Sequence, residues 1–201
     1  MNNNTEEKPR EPIDFNYFEE EKPGILRTIF EYAVSIGIAF IAAFLINNFI
    51  LFNANVPSGS MENTIMTGDR VFGFRLAYFL SEPERGDIVI FKYPDDESLN
   101  YIKRIIGLPG ETVTIRDGLV YINDNADPLN EPYLAEAPYK WDFGPFEVPE
   151  GHYFMLGDNR NNSADSRYWN NTYVAREKIE AKAFLRYWKG FRLYSGHDYT
   201  D

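Results

Sequence analysis

The chain has 201 residues, a length that fits one ordinary domain and an additional segment. Its 31 acidic residues outnumber its 20 Lys and Arg, and the net charge of −11 argues against nucleic-acid binding, which needs a basic surface. The sequence has no cysteine, which excludes disulfides, thiol nucleophiles and thiolate metal sites. Only His152 and His197 could serve a zinc site or a Ser-His-Asp triad, and we expect both to be structural and the protein to hold no metal.

The first predicted element is a membrane anchor. Residues 1–24 are polar and charged, and we interpret them as a disordered cytoplasmic tail. Residues 28–46 are almost wholly apolar and carry one charge, Glu31. A helix of this length spans roughly 28 Å, close to the hydrocarbon core of a bilayer. A buried core helix would show a polar face that this run lacks, so the sequence predicts a transmembrane anchor with an interfacial end over 25–52.

A cleaved signal peptide is the nearer alternative to an anchor. It predicts a short basic leader and a small-x-small cleavage site after the apolar run, whereas the tail is long and "NNFILFNANV" lacks the small pair. Four Lys and Arg precede the apolar run 28–46 and none lies in 47–69. Under the positive-inside rule, we expect a single-pass protein of the plasma membrane, with its N-terminus in the cytoplasm and residues 53–201 outside.

The sequence of residues 53–201 predicts a mostly β fold. Short runs of β-branched and aromatic residues lie between Gly, Pro, Asp and Asn clusters: "RVFGF", "DIVIF", "YIKRII", "TVTI", "LVYI", "YFML" and "KAFLRYW". "TIRDGLVYI" predicts a hairpin with Asp117-Gly118 at its turn, and the proline-rich stretch 125–150 is interpreted as a long excursion between strands. Because no long amphipathic helix follows residue 60, the pattern favours an antiparallel sandwich or barrel.

Directly after the anchor, Ser58 and Ser60 flank Gly59 in "VPSGSMENTIMTGDRV". A serine hydroxyl is a weak nucleophile until a base removes its proton, and the G-x-S-x-G and S-x-x-K signatures are absent. Lys103 lies inside the apolar strand "NYIKRIIGLPGE", where alternation points it and Arg104 to opposite faces. A buried amine has a lowered pKa and can accept a proton, while a solvated edge lysine is the alternative.

A third polar cluster, "GDNRNNSADSR" (157–167), follows the apolar strand "YFML". Its Asn, Asp and Ser residues are typical of turns. The same residues also form a dense hydrogen-bonding set that could brace a neighbouring site.

In this order, these segments resemble the motifs of bacterial type I signal peptidases, the membrane-anchored serine proteases that remove signal peptides from exported proteins. "SGSMENT" resembles the nucleophile box, "RGDIVIF" a structural strand, "YIKRIIGLPGE" the lysine box and "GDNRNNSADSR" the last box. The resemblance covers about residues 28–167, including the anchor. Two positions depart from the family pattern, since Asn63 stands where the family usually has Pro and Glu111 where it usually has Asp.

The resemblance implies a Ser/Lys dyad with Ser60 as nucleophile and Lys103 as general base. Ser58 would supply a hydroxyl to the oxyanion hole alongside the backbone N–H of Ser60, and Ser163 would orient the lysine by a hydrogen bond. The remaining implied roles are a supporting ion pair and the lining of the pocket for the small side chain before the cut: Asp165 with Arg167, and Met61, Tyr101 and Ile102.

No cofactor is implied, and the expected partners are signal peptides of exported preproteins, the lipid bilayer and, through a functional contact, the secretion machinery. One alternative is a repressor-type self-cleaving Ser/Lys peptidase, which would carry a DNA-binding N-terminus where this chain has an anchor and an acidic tail. The other is a catalytically inactive, membrane-anchored binding module. The joint presence of Ser60, Lys103 and Ser163 speaks against it.

Overall fold

The computed structural model describes residues 24–123, 125–197 and 199, and the chain divides into two compact units between Ala42 and Ala43. Among the described residues there is one α-helix, α1 (Ile25–Leu45), which ends in a π-helical turn, Ile46–Ile50. No side chain of α1 is buried, and together with the turn it is long and apolar enough to cross a membrane. The apolar run therefore forms the predicted helix.

The second unit is built from β-strands. Within the described residues the strands are β1 (Leu51–Asn55), β2 (Arg70–Phe74), β3 (Ile88–Tyr93), β4 (Asp96–Gly107), β5 (Thr112–Arg116), β6 (Leu119–Ile122), β7 (Phe143–Glu147), β8 (His152–Leu156), β9 (Val174–Ala175), β10 (Ile179–Arg186) and β11 (Arg192–Leu193). Every pairing is antiparallel. The predicted fold class, a mostly β antiparallel domain after one N-terminal helix, is confirmed.

The larger sheet has eight strands in the order β1-β2-β10-β3-β4-β8-β9, with β11 pairing beside β10. Strand β1 therefore lies at the edge, paired with β2 from Leu51 opposite Phe74 to Asn55 opposite Arg70. Leu51 and Phe52, assigned from the sequence to the interfacial end of the anchor, thus belong to this strand. The edge position matters because β1 leads directly into the serine-rich turn.

The smaller sheet has three strands in the order β6-β5-β7. Its predicted hairpin is present, and Asp117 and Gly118 both have positive φ, as a two-residue hairpin turn of the primed type requires. Strand β7 lies inside the stretch 125–150, for which the proline-rich sequence predicts a long excursion between strands. The excursion is therefore shorter than predicted and ends at Phe143.

Buried apolar side chains join the two sheets. Ile106 of β4 and Phe154 of β8 pack in one cluster with Val113 and Ile115 of β5. Each fully buried side chain of this size contributes about 1.5–3 kcal/mol to folding. A second cluster, around Phe91, lies between β3, β4 and β8. These clusters fix β4 and the loop after β8, which carry the polar residues described next.

Candidate active site

Ser60 and Lys103 meet although 43 positions separate them in the chain. Ser60 lies on the tight turn after β1, and Lys103 lies within β4, paired with Val89 of β3. The Lys103 Nζ atom is 2.7 Å from Ser60 Oγ and donates a second hydrogen bond of 3.1 Å to the carbonyl oxygen of Ile102. The lysine is 4% exposed and the serine 9%. The two residues thus form a buried hydroxyl–amine pair.

Burial lowers the pKa of Lys103 from 10.5 to about 8, and the charges of Asp165 and Asp158 oppose that shift without reversing it. A lysine with this pKa is partly neutral near pH 7–8, whereas a solvated lysine is almost wholly protonated there. The Lys103 amine can therefore accept a proton from the hydroxyl beside it.

Ser58 lies next to the pair, with its Oγ atom 3.4 Å from Ser60 Oγ. A hydroxyl so near the nucleophile could donate to the oxyanion that develops on a substrate carbonyl attacked by Ser60. The structure therefore brings together the three residues for which the sequence predicted nucleophile, base and oxyanion roles.

The loop 157–167, which follows β8, holds the backbone of the Ser60 turn. The Asn159 backbone N–H donates to the carbonyl oxygen of Ser60 at 3.1 Å, and its side-chain amide donates to that of Gly59 at 3.0 Å. Gly157 has no room for a side chain, because an added Cβ would overlap Ser163 Oγ and the Ser60 carbonyl oxygen. The loop and the turn are therefore in direct contact.

The residues expected to support the lysine are only partly arranged as predicted. Asp165 and Arg167 form the expected ion pair, with two hydrogen bonds of 2.7 and 2.8 Å. Asp165 also accepts a 3.1 Å hydrogen bond from the backbone of Gly157. Ser163, however, does not make the expected hydrogen bond to Lys103. Its Oγ atom is buried without a hydrogen-bond partner among the described residues, while the lysine donates to Ser60 and Ile102.

A cavity of about 500 Å³ opens beside the pair. The described residues that line it come from β1, the serine turn, β3, β4 and the loop after β8: Phe52, Asn53, Ala54, Asn55, Val56, Pro57, Ser58, Gly59, Ser60, Ile90, Asn100, Tyr101, Ile102, Lys103, Asn162 and Ala164. Tyr101 and Ile102 lie where the sequence placed them. Met61 does not: it is 1% exposed and packs with Ile65 and Val71 in a core cluster, because the turn directs it inward.

Sequence reasoning missed the second buried cation of β4. Arg104 is 2% exposed and donates two hydrogen bonds to the Asp158 carboxylate, at 2.8 and 2.6 Å. The same carboxylate accepts a hydrogen bond from Thr64 Oγ1 on the serine turn. The signal that was available is the Asp within the polar cluster after β8, since a buried arginine requires a carboxylate.

Comparison with known proteins gives a consistent result. The family model for "Signal peptidase, peptidase S26" matches residues 29–188. The chain is 44% identical to the probable signal peptidase I-2 of Synechocystis sp., covering 75% of this chain and 69% of that protein. It is 41% identical to signal peptidase I of Leptolyngbya laminosa, covering 79% of each. It is 37% identical to signal peptidase I S of Bacillus subtilis, covering 80% and 90% respectively.

Among solved structures, a signal peptidase I from Enterococcus faecalis is 38% identical to this chain. The match covers 51% of this chain and 97% of that one, with a TM-score of 0.43.

Proposed function

Since this chain belongs to the signal peptidase family, peptidase S26, and is a serine endopeptidase that cleaves signal peptides from preproteins, we propose that Ser60 and Lys103 are the groups that perform the cleavage. The observation that carries the proposal is the 2.7 Å contact between Ser60 Oγ and a buried lysine amine. That amine has no carboxylate as a hydrogen-bond partner among the described residues.

The proposed reaction proceeds through an ester. Neutral Lys103 accepts the Ser60 hydroxyl proton as Oγ attacks the carbonyl carbon of the scissile peptide bond, and Ser58 Oγ with the Ser60 backbone N–H stabilises the resulting oxyanion. The bond to the departing amine then breaks, and Lys103 returns the proton to that nitrogen. A water molecule next gives a proton to Lys103 and attacks the ester carbonyl; the bond to Ser60 Oγ then breaks, Lys103 returns the proton to that oxygen, and the signal peptide leaves as a carboxylate.

The cavity beside the dyad suggests how the cleavage position is chosen. Tyr101 and Ile102 of β4 and residues 52–57 of the edge strand and its extension line it. A substrate bound in extended conformation points alternate side chains to the same side. The side chains one and three positions before the cut then face the same wall of the cavity, and we expect both to be small, as the resemblance to the family implies.

The domain organisation and topology belong to the same proposal. The family is membrane-anchored, and α1 is the candidate span. We propose a cytoplasmic tail (1–24), an anchor segment (25–52) whose residues before Leu51 lie in the lipid bilayer of the plasma membrane, and an outer catalytic domain (53–201) whose first strand, β1, already begins at Leu51. The support is the count of Lys and Arg, four before the apolar run 28–46 and none in 47–69. A functional contact with the secretion machinery would then deliver preproteins to the outer side.

The decisive experiment assays the full chain in detergent micelles on a preprotein with alanine one and three positions before its cleavage site. We expect one cut at that site, no cut by Ser60→Ala, and no cut when a large aromatic replaces the alanine directly before the site. A catalytically inactive binding module would leave the preprotein intact in every sample. Cleavage by folded Ser60→Ala would remove Ser60 from the mechanism.

A further inference from the structure

Part of the excursion contacts the active site although it belongs to neither sheet. Residues 131–139, here called the strap, precede β7 and contact both segments that form the site. On one side the strap meets Asn63 in the serine turn, and on the other it meets Arg160 and Asn161 in the loop after β8. None of these contacts involves Ser60 or Lys103.

The most buried contact of the strap is an ion pair. Glu131 and Arg160 form two hydrogen bonds, one of them 2.7 Å long, and their side chains are only 5% and 3% exposed. Tyr133 donates a further 2.7 Å hydrogen bond to the same carboxylate. Arg160 also donates from Nε to the carbonyl oxygen of Gly157 at 3.1 Å. The Glu131 carboxylate of the strap therefore fixes the turn 157–160 through Arg160.

The residue next to Arg160 in that turn holds the backbone of the proposed nucleophile. Asn159 directly precedes Arg160, and its two amide groups hold the carbonyl oxygens of Gly59 and Ser60. A displacement of Arg160 would move Asn159 and with it the backbone of Ser60. Because a 1 Å misplacement of a reacting group can cost about 10²-fold in rate, the position of this turn matters for catalysis.

The strap also contacts the serine turn directly. The side-chain amide of Asn63 donates to the carbonyl oxygens of Tyr133 and Leu134, at 3.1 and 3.3 Å. Asn63 has a φ of +82°, in the left-handed region that Asn tolerates and Gly adopts freely.

A third set of contacts joins the strap to the loop after β8. The Asn161 amide donates to Glu136 at 2.8 Å and to the carbonyl oxygen of Ala137 at 3.1 Å, and it accepts from the backbone of Tyr139 at 2.8 Å. The strap is therefore hydrogen-bonded both to the serine turn and to the loop after β8.

We propose that the strap is a positioning element of the active site, with Glu131 as its main positioning residue. Glu131 acts through Arg160 to keep Asn159 bonded to the Ser60 turn, and Asn63 adds a second, direct connection. The inference rests on the proposed role of Ser60 as nucleophile. It gives a function to a segment that neither builds a sheet nor touches the reacting atoms.

The first test compares two asparagines of positive φ. Asn63→Gly keeps the turn's backbone conformation and removes only the two hydrogen bonds to the strap. Asn123→Gly is the matched control, because Asn123 also has positive φ and its Oδ1 accepts one 2.9 Å hydrogen bond, from Thr112 in the smaller sheet. With a fluorogenic peptide that has alanine one and three positions before the cut, Asn63→Gly should lower kcat about 3- to 10-fold with little change in KM. Asn123→Gly should match the wild type.

The second readout is the rise of kcat with pH. A loosened serine turn admits water to the Lys103 amine, while the nearby titratable groups, the carboxylates of Asp165 and Asp158 and the Tyr101 ring, are retained in both variants. The rising limb should therefore move to higher pH in Asn63→Gly and stay in place in Asn123→Gly. If the strap only stabilised the fold, Asn63→Gly would lower the melting temperature without moving this limb. If Asn63→Gly matches Asn123→Gly in both kcat and the pH limb, the proposal is wrong.

Glu131→Gln tests the main contact and should lower kcat about 10- to 100-fold. It leaves Arg160 buried without its partner charge, so its folding is checked by circular dichroism. Unchanged kcat and pH limb in the folded variant would overturn the proposal, and if the variant does not fold, Asn63→Gly decides alone. Ser60→Ala is assayed beside these variants. Cleavage by Ser60→Ala would refute the proposed dyad, whereas an inactive Ser60→Ala with unaffected strap variants would refute only the strap.

Discussion

Strand β4 presents two buried cations on opposite faces, Lys103 beside Ser60 and Arg104 beside Asp158. Both side chains are at most 4% exposed, so both have lost most of their hydration. Their partners differ. Lys103 bonds to a hydroxyl and a carbonyl oxygen, whereas Arg104 forms two hydrogen bonds to a carboxylate and a third, of 2.7 Å, to the carbonyl oxygen of Gly86.

The difference shows what turns a buried cation into a base. Burial pushes the pKa of both groups down. For Arg104, the hydrogen bonds and charge of Asp158 outweigh burial and raise the pKa above its ordinary value. For Lys103, the carboxylates of Asp158 and Asp165 act only as nearby charges, and the pKa falls to about 8. The two side chains therefore differ in having or lacking a directly bonded carboxylate, and not in burial. We call the side of β4 that carries Arg104 the structural face and the side that carries Lys103 the reactive face.

The largest expected effect comes from making the reactive face resemble the structural one. Lys103→Arg keeps a positive charge next to Ser60, but guanidinium stays protonated in proteins and cannot act as a base. We expect kcat/KM for a preprotein to fall by at least about 10⁴-fold with the fold retained. The double variant with Ser60→Ala should be no worse than either single variant, because nucleophile and base act as a unit. Turnover by folded Lys103→Arg near the wild-type rate would contradict the comparison.

The converse change removes the cation of the structural face. Arg104→Met leaves the Asp158 carboxylate buried without its charge partner, which should lower the free energy of unfolding by about 3–5 kcal/mol. Arg176→Met is the matched control, because the Glu82 carboxyl partner of Arg176 is largely exposed and such a pair contributes about 0–1 kcal/mol. Urea denaturation of both variants measures the difference. Equal stabilities would show that burial of the Arg104 pair has no energetic consequence.

The pH dependence of the wild type tests the reactive face without a substitution. Lys103 must be neutral to accept a proton, and its neutral fraction falls about tenfold for each pH unit below its pKa. With a pKa of about 8, kcat/KM should rise through pH 8 to a plateau and be about 100-fold below that plateau at pH 6. Initial rates across this range measure the limb. A flat profile would mean that another group accepts the proton.

The smallest expected effect comes from adding a carboxylate to the reactive face. Ala164 lines the same cavity as Lys103, so Ala164→Asp should favour the charged amine and move the rising limb to higher pH by about one unit. Ala164→Asn has nearly the same shape without the charge and should leave the limb in place. An equal shift in both variants would indicate a steric cause and weaken the comparison.

The sequence predicted the strands that have strong local signals. "RVFGF" forms β2 over the predicted residues, and the hairpin turns at Asp117-Gly118, because alternation and turn chemistry are local properties. Strand β1 was not predicted, since its apolar start resembles an interfacial segment and its extended form depends on pairing with β2. Strand β7 was missed for a similar reason, because it is defined by pairing with β5.

The motifs predicted which residues belong to the site, but not how their side chains are oriented. Ser60 and Lys103 were identified from motif order, and the structure brings them into contact. The inward direction of Met61 and the missing hydrogen bond of Ser163 depend on the turn geometry, which residue types do not determine. The pairing of Arg104 with Asp158 depends on β8 lying next to β4, with Leu156 opposite Arg104, a neighbour relation that the chain order does not reveal.

The positive φ of Asn63 restricts which residues can replace it. Proline, which the resemblance to the family motif leads us to expect at this position, fixes φ near −65°, whereas the backbone at Asn63 lies at +82°. Asn63→Pro would therefore require the turn to change its conformation and the amide bonds to Tyr133 and Leu134 to be lost. A chimaera that carried the proline-containing motif in this chain would thus have to exchange the serine turn together with the strap.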